Sequence, residues 1–304
     1  MITKNTRGIL FAIGAALSIS NVYVFSKLAL NQIHLAQFGV YWFGFGIVWN
    51  LIYFFAFGKY KTITTLTKAN IRGLFIISVL EMFGTIFFFM AIKTVENPTV
   101  VSFLVNINPI FVVVLGILIL KERFNTIEFL GMAITLAGAV MISMVGVTDT
   151  GSFFVDGAQY VVFSAVFYSL SILVAKNQIK SVDASYLAIS RITLLFIVSL
   201  ISLILLRLPL IPSTSSLINI GIGSVLGPFL GTVLGYMALK HIEMSKATMV
   251  RSVRSLFVLA GAYLYFGTLP SNWQIVGGVL TMIGVVMISF GKLKILQKRQ
   301  KVNL

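Results

Sequence analysis

The chain has 304 residues, of which 58% are hydrophobic and only 10% charged, with 26 Phe; in an ordinary soluble domain charge alone takes roughly a quarter of the positions. That composition excludes a soluble fold and predicts an all-α membrane protein. The 23 Lys and Arg against 8 Asp and Glu would point to nucleic acid in a soluble chain, but most of them fall between or beyond apolar runs, so no nucleic-acid partner is expected; the absence of Cys removes disulfides, thiolate metal sites and thiol chemistry.

A bilayer crossing needs about 20 mostly apolar residues. Ten segments meet that need, at roughly 8–30, 34–57, 71–92, 98–120, 127–147, 154–176, 184–206, 216–239, 247–267 and 272–291. Lys4 and Arg7 ahead of the first run imitate a signal peptide, but no small-residue cleavage site follows, and the run is expected to be a retained span. Connections are short, so function is expected inside the bundle; 292–304 is a basic cytoplasmic tail. Arg191, Arg251 and Arg254 lie within spans, and with the N-terminus inside only Lys27, Lys93 and Arg207 of the other basic residues take the outer side. This bias places both termini in the cytoplasm.

Polar residues within the spans are the functional candidates. The first span carries Ser20, Asn21 and Tyr23, and the second Tyr41 and Trp42, two turns or less from its outer end, where an aromatic belt is the favoured reading over stacking on a ligand. Glu81 is isolated at the middle of the third span. In the fourth, Asn106 and Asn108 flank Pro109, whose missing N–H frees a carbonyl one turn earlier; ligand contact and interhelical hydrogen bonding both suit these Asn side chains. Gly131 and Gly138 in the fifth span, with Gly277, Gly284 and Gly291 in the tenth, read as packing faces, and Glu128 is expected at a water-accessible span end. Tyr168 and Ser169 lie in the sixth span and Arg191 in the seventh. The eighth carries Gly223, Gly227, Gly231 and Gly235 at four-residue spacing, a face open to close helix approach, together with Pro228, which bends it, and Tyr236. In the ninth, Arg251 is shallow enough to snorkel, whereas Arg254 is deep.

A charge at membrane depth costs at least about 2.5–3.5 kcal/mol, which makes such residues functional candidates by default. For Glu81, Arg191 and Arg254 the alternatives are a cavity that meets substrate or protons, or an ion pair that fixes helix register. The expected substrate-binding set is therefore Glu81, Arg191, Arg254, Asn21, Tyr23, Asn106, Asn108, Tyr168 and Tyr236. His34 and His241 lie near span ends without an acidic cluster, so no metal site and no cofactor are expected.

The two halves of the chain repeat one another. Gly84-Thr85-Ile86-Phe87-Phe88-Phe89-Met90-Ala91-Ile92-Lys93-Thr94-Val95-Glu96 recurs 147 residues later as Gly231-Thr232-Val233-Leu234-Gly235-Tyr236-Met237-Ala238-Leu239-Lys240-His241-Ile242-Glu243. Gly8, Ala16, Ser20 and Lys27 match Gly157, Ala165, Ser169 and Lys176 at an offset of 149, and Gly131, Thr135 and Gly138 match Gly277, Thr281 and Gly284 at 146. Because each half (8–147 and 154–291) holds five spans, an odd number, the second enters the membrane in the opposite sense. The expected fold is ten transmembrane helices as two inverted five-helix repeats, with substrate near the midplane.

The pairs Met90-Ala91-Ile92-Lys93 and Met237-Ala238-Leu239-Lys240, the Asn108-Pro109 step and Leu120-Lys121-Glu122 resemble the drug/metabolite transporter superfamily, and within it the EamA-type ten-helix transporters, across residues 8–291. Members often carry an Arg in the second helix of each repeat. Arg191 matches it, while Trp42 stands at the first-repeat position, and Ser255 and Thr268 replace the Pro and Glu of helix four. The resemblance implies export or exchange of small metabolites such as amino acids, driven by proton or solute gradients.

The expected function is a non-enzymatic secondary transporter of a small polar or amphipathic metabolite in the inner membrane, working by alternating access, with lipid bilayer, a small-molecule substrate and coupling to protons or a counter-solute as its partners. The rival is a membrane-embedded enzyme on a lipid or polyprenyl substrate, which needs acids or a nucleophile gathered at one face; Glu122, Glu128, Asp183 and Glu243 are scattered instead. A structural or channel-like protein is the other rival, and it leaves buried opposite charges without a role.

Overall fold

A chain that crosses lipid must satisfy its backbone internally, and a helix does so within a single segment. The computed structural model describes residues 4–58, 66–120, 125–144, 155–178, 182, 184–242, 250 and 252–302, and among them there are helices and no strand. The elements are α1 (Lys4–Leu30), α2 (Leu35–Ala56), α3 (Lys68–Thr94), α4 (Pro98–Leu104), α5 (Asn108–Leu120), α6 (Thr126–Ser143), α7 (Ala158–Gln178), α8 (Ala184–Leu205), α9 (Thr214–Ser224), α10 (Thr232–His241), α11 (Arg254–Phe266) and α12 (Asn272–Val302). Among the described residues eight helical stretches are long and apolar enough to cross a bilayer, and Ala158–Val174 and Arg254–Phe266 are shorter apolar helices. All ten expected spans thus have a helical counterpart.

Two spans are broken where the sequence carries proline. Pro109 has no N–H to give and crowds the carbonyl one turn back, so Val105–Ile107 tighten into a 3₁₀ turn and the Asn108 N–H turns to Val105 O. The eighth span opens instead: Val225–Gly231, with Pro228 inside, form a π-helical stretch between α9 and α10, which absorbs the proline by widening the helix. Ends are set by local chemistry. Asn97 caps α4 through Thr99 N with Pro98 at its first turn, and Gly267 at φ 65° closes α11 in a left-handed conformation that suits glycine. At the end of α3, the buried Lys27 ammonium donates to Lys93 O at 3.0 Å and Val95 O at 2.7 Å. It ties α1 to carbonyls that the helix end leaves open. The last helix does not stop at 291 but runs into the expected tail, to Val302.

Helix pairing is reciprocal between the halves. α1 lies along α9, the π stretch and α10, as α7 lies along α3; α1 meets α11 as α7 meets α5; α3 meets α8 as α2 meets α9. The pairs α2 with α8, α4 with α11 and α6 with α12 each join corresponding helices of the two halves. The α6–α12 pair is the tightest. Gly131 sits where a Cβ would fall 2.8 Å from Gly284 O, and Gly138 where one would fall 2.6 Å from Gly277 O. Backbones approach this closely only without side chains between them.

Two expectations fail here. Glu128 is 1% exposed rather than open to water: its carboxylate folds back to accept from Asn125 N at 2.9 Å while Asn125 Oδ1 accepts from Glu128 N, and the Asn125 amide donates to Gly291 O at 2.8 Å. A capping box has drawn the carboxylate under the partner helix. Trp42 does not join an outer belt. It is 2% exposed, stacked on Phe38 and edge-on to Phe89, with its indole lying over Gly223 and Gly227, where the absence of side chains makes room for it. Tyr41 stays half-buried near the helix end, donating to Leu210 O at 2.9 Å. On the outside, Phe75, Phe129, Leu205 and Leu264 are exposed, the surface lipid tails cover in a multi-pass membrane protein.

Candidate functional site

Polar residues at helical spacing meet at the junction of α3, α7 and α8. On α3, Ser78, Glu81 and Thr85 fall three and four residues apart and share one face; on α7, Ser164, Tyr168 and Ser171 do the same. The faces meet. Ser164 Oγ donates to Gly84 O at 2.8 Å, the Tyr168 and Thr85 hydroxyls lie 2.9 Å apart, and Ser171 Oγ donates to Glu81 Oε1 at 3.3 Å. Tyr168 approaches so closely because position 84 is glycine, where a Cβ would come within 3.1 Å of the ring.

From α8, Arg191 donates to the other Glu81 oxygen at 2.8 Å, and one turn along Ser78 donates to Ser190 at 3.0 Å. The Arg191 and Glu81 side chains remain 28% and 24% exposed. The pair is therefore neither sealed in the core nor free on a surface. Partial access to water lowers the desolvation cost that a fully buried pair carries, and leaves room for other partners to compete for either charge.

A second cluster adjoins the first. Tyr23 of α1, 1% exposed, packs edge-on to Phe88 of α3, and the Arg254 guanidinium carbon stands 5.5 Å from the centre of its ring, within cation–π range. Phe88 lies one turn of α3 beyond Thr85, the partner of Tyr168, so the two clusters adjoin as one polar band. Arg254 Nε is buried without a hydrogen-bond partner, as is Asn108 Oδ1, while Asn108 O accepts from Ser169 at 3.4 Å.

The band thus gathers Glu81, Arg191, Tyr168, Tyr23 and Arg254 out of the expected set. Asn106 instead donates to Thr281 at 3.1 Å in a buried bridge to α12, and the Asn21 amide turns back to Leu17 O of its own helix at 2.8 Å. Position 236 lies in α10, and its side chain is outside the described residues, as is residue 251. Ser78, Thr85, Ser164, Ser171 and Phe88 were not among the expected residues. The signal for the hydroxyls was available in the matched three- and four-residue spacings. Among the described residues no cluster of His, Asp and Glu is arranged to hold a metal.

The profile of the EamA-like transporter family matches residues 6–144 and again 156–290. The chain belongs to that family. It is similar to an uncharacterized transporter, sll1164, of Synechocystis sp., 23% identical over 213 residues, covering 67% of this chain and 61% of that protein. It is also similar to the uncharacterized transporter YyaM of Bacillus subtilis (strain 168), 23% identical over 232 residues, covering 73% of this chain and 74% of the other. A crystallographically solved protein aligns over 92% of this chain and 95% of its own with a TM-score of 0.63 at 15% identity, a likeness of fold. This member of the EamA-like family is a multi-pass membrane protein.

Proposed function

We propose that the protein is a secondary carrier of the inner membrane that moves a small polar or amphipathic metabolite, such as an amino acid, by alternating access, as an exporter or exchanger. The observation that carries this reading is the band of Glu81, Arg191, Tyr168, Tyr23 and Arg254, drawn from five helices to one place. Ionisable groups deep in a bundle are costly to insert, and lining a polar pathway is what repays them. The halves 8–147 and 154–291 act as inverted repeats that rock about this band, and the reciprocal helix pairing supports that arrangement. The π-helical stretch around Pro228 gives the eighth span a place to flex. Both termini face the cytoplasm, and a proton or counter-solute gradient supplies the driving force.

Flux of a labelled metabolite panel into proteoliposomes, with and without a pH gradient, tests the carrier. Uptake of at least one solute is expected; turnover of a lipid with no flux of any solute would hand the protein to an enzymatic role. Topology has its own measurement: single Cys residues in place of Asn31 and Asn272 should react with an impermeant reagent applied outside, and one in place of Gln297 should not. The reverse pattern refutes the orientation.

A further inference from the structure

The three charges in the polar band are not equivalent. Glu81 and Arg191 neutralise one another at 2.8 Å, and Ser171 occupies the second carboxylate oxygen. Among the described residues Arg254 has no such partner. Its guanidinium makes no hydrogen bond among them, and its neighbour is the face of Tyr23. A cation–π contact attracts the charge but accepts none of the five N–H donors. Among the described residues the band therefore carries one uncompensated positive charge, with directed donors, near the half-buried ring of Phe88, which packs on the buried Tyr23.

We infer, resting on the transport reading above, that the cargo is a small organic anion of net charge −1, held by a carboxylate or a phosphodiester group on the Arg254 fork with an apolar or aromatic body against the half-buried Phe88. An anion completes the site: it supplies acceptors in the geometry that guanidinium donors favour and brings the band of Glu81, Arg191 and Arg254 to neutrality as it moves through low dielectric. A neutral zwitterion leaves its ammonium without an acceptor of equal strength unless it expels Arg191 from Glu81, and a cation meets Arg254 as a like charge. The self-paired Glu81 and Arg191 keep the neighbouring region neutral, so the sign of the cargo is read by Arg254 alone.

Counterflow through proteoliposomes of the full chain, with labelled monocarboxylates, phosphodiesters, zwitterionic amino acids and organic cations, decides the matter. Exchange of monocarboxylates, phosphodiesters or both is expected, the two arms telling which head group the fork takes. Arg254→Gln should weaken apparent affinity for that anion by at least ~30-fold, as removal of a buried charged partner does. Arg254→Lys, which keeps the charge and loses the fork, should fall between. Should Arg254→Gln fail to give monodisperse protein, wild type alone still answers, because a carboxylate must then compete for exchange far better than its isosteric amide. Exchange confined to zwitterions or cations, anion exchange unchanged in Arg254→Gln, or equal competition by acid and amide overturns the inference while leaving the carrier intact. No exchange in any charge class strikes down the transport reading, and the inference with it.

Discussion

Arg191 and Trp42 stand at corresponding positions of the two sequence halves, 149 residues apart, and so do Glu81 and Pro228, 147 apart. Arg191 meets Glu81 at one junction, while Trp42 and Pro228 lie at the corresponding junction of the other half, with opposite chemistry. At α3–α8 the junction is made by an ion pair and two serines, a quarter open to solvent. At α2–α9 it is made by an indole seated over Gly223 and Gly227, with Asn50 of α2 donating to Pro228 O at 3.4 Å, and Trp42 and Asn50 are both buried. The α6–α12 seam shows the other outcome. There Gly131 meets Gly284 and Gly138 meets Gly277, so both halves contribute the same residue to the same contact. Faces of corresponding helices that pack on each other constrain both copies to one solution. Helices that pack on non-corresponding partners can diverge, and here one junction became a charged site and the other an apolar joint.

The largest effect is expected in the seam. A side chain at Gly138 meets the backbone of α12, with Gly277 O at 2.6 Å and Thr281 N at 2.9 Å, and neither can swing aside. Gly138→Leu should cost about 3 kcal/mol or more, read as loss of monodisperse protein or a large fall in the thermal unfolding midpoint. A stable, monodisperse variant would show that the two backbones are not held this close.

The eighth span gives the next effect. Gly227→Leu drives into Val22 and Trp42, and Gly231→Leu into Ile19 and Leu226 O, whereas nothing lies within 4 Å of a Cβ at Gly221. The first two should destabilise by about 1–3 kcal/mol or trap one conformation, and Gly221→Leu should stay within about 0.5 kcal/mol. Equal tolerance at all three would mean that the eighth span is not closely packed against α1 and α2.

How much of this was legible before any fold was known follows from the range of the signals. Span number came through because twenty apolar residues are a local pattern, and the break at Pro109 because a proline's missing donor is local too. Trp42 was misread since its seat is made by glycines 181 and 185 positions away, and no local rule connects them. Glu128 was misread for the opposite reason: Asn125 and Glu128 already form a capping box in sequence, and what hid the carboxylate was the approach of Gly291 from α12. For Glu81 the sequence offered Arg191 and Arg254 alike. Only tertiary placement separates a paired arginine from one left with an aromatic face.

At the charged junction, Glu81→Gln and Arg191→Gln should each cost about 1–3 kcal/mol, below the figure for sealed pairs because both side chains reach solvent. The double variant should cost less than the sum, since neither half then leaves a charge stranded. Strict additivity in thermal unfolding would show that the two residues act separately. Transport separates a register role from a pathway role: if the pair lines the pathway, activity stays lost in the double variant after stability has returned.

The smallest effect distinguishes a shaped carboxylate site from a bare ion pair. Ser171 is buried and reaches Glu81 Oε1 at 3.3 Å, on the oxygen Arg191 does not take. A hydroxyl bonded to a charged acceptor contributes more than one bonded to a neutral acceptor, but the 3.3 Å separation lies at the long end for an O–H donor, so Ser171→Ala should cost only about 0.5–1 kcal/mol. Part of that cost exists only while Glu81 is ionised. In the Glu81→Gln background the same substitution should therefore cost less, giving a coupling of about 0.5 kcal/mol in a double-mutant cycle of unfolding free energies. Ser164→Ala is the control, because its hydroxyl donates to Gly84 O on the same face of α7 without touching the carboxylate, and its cost should not change between the two backgrounds. Identical coupling for both serines would mean that α7 supports Glu81 only by packing, and that the carboxylate is oriented by Arg191 alone.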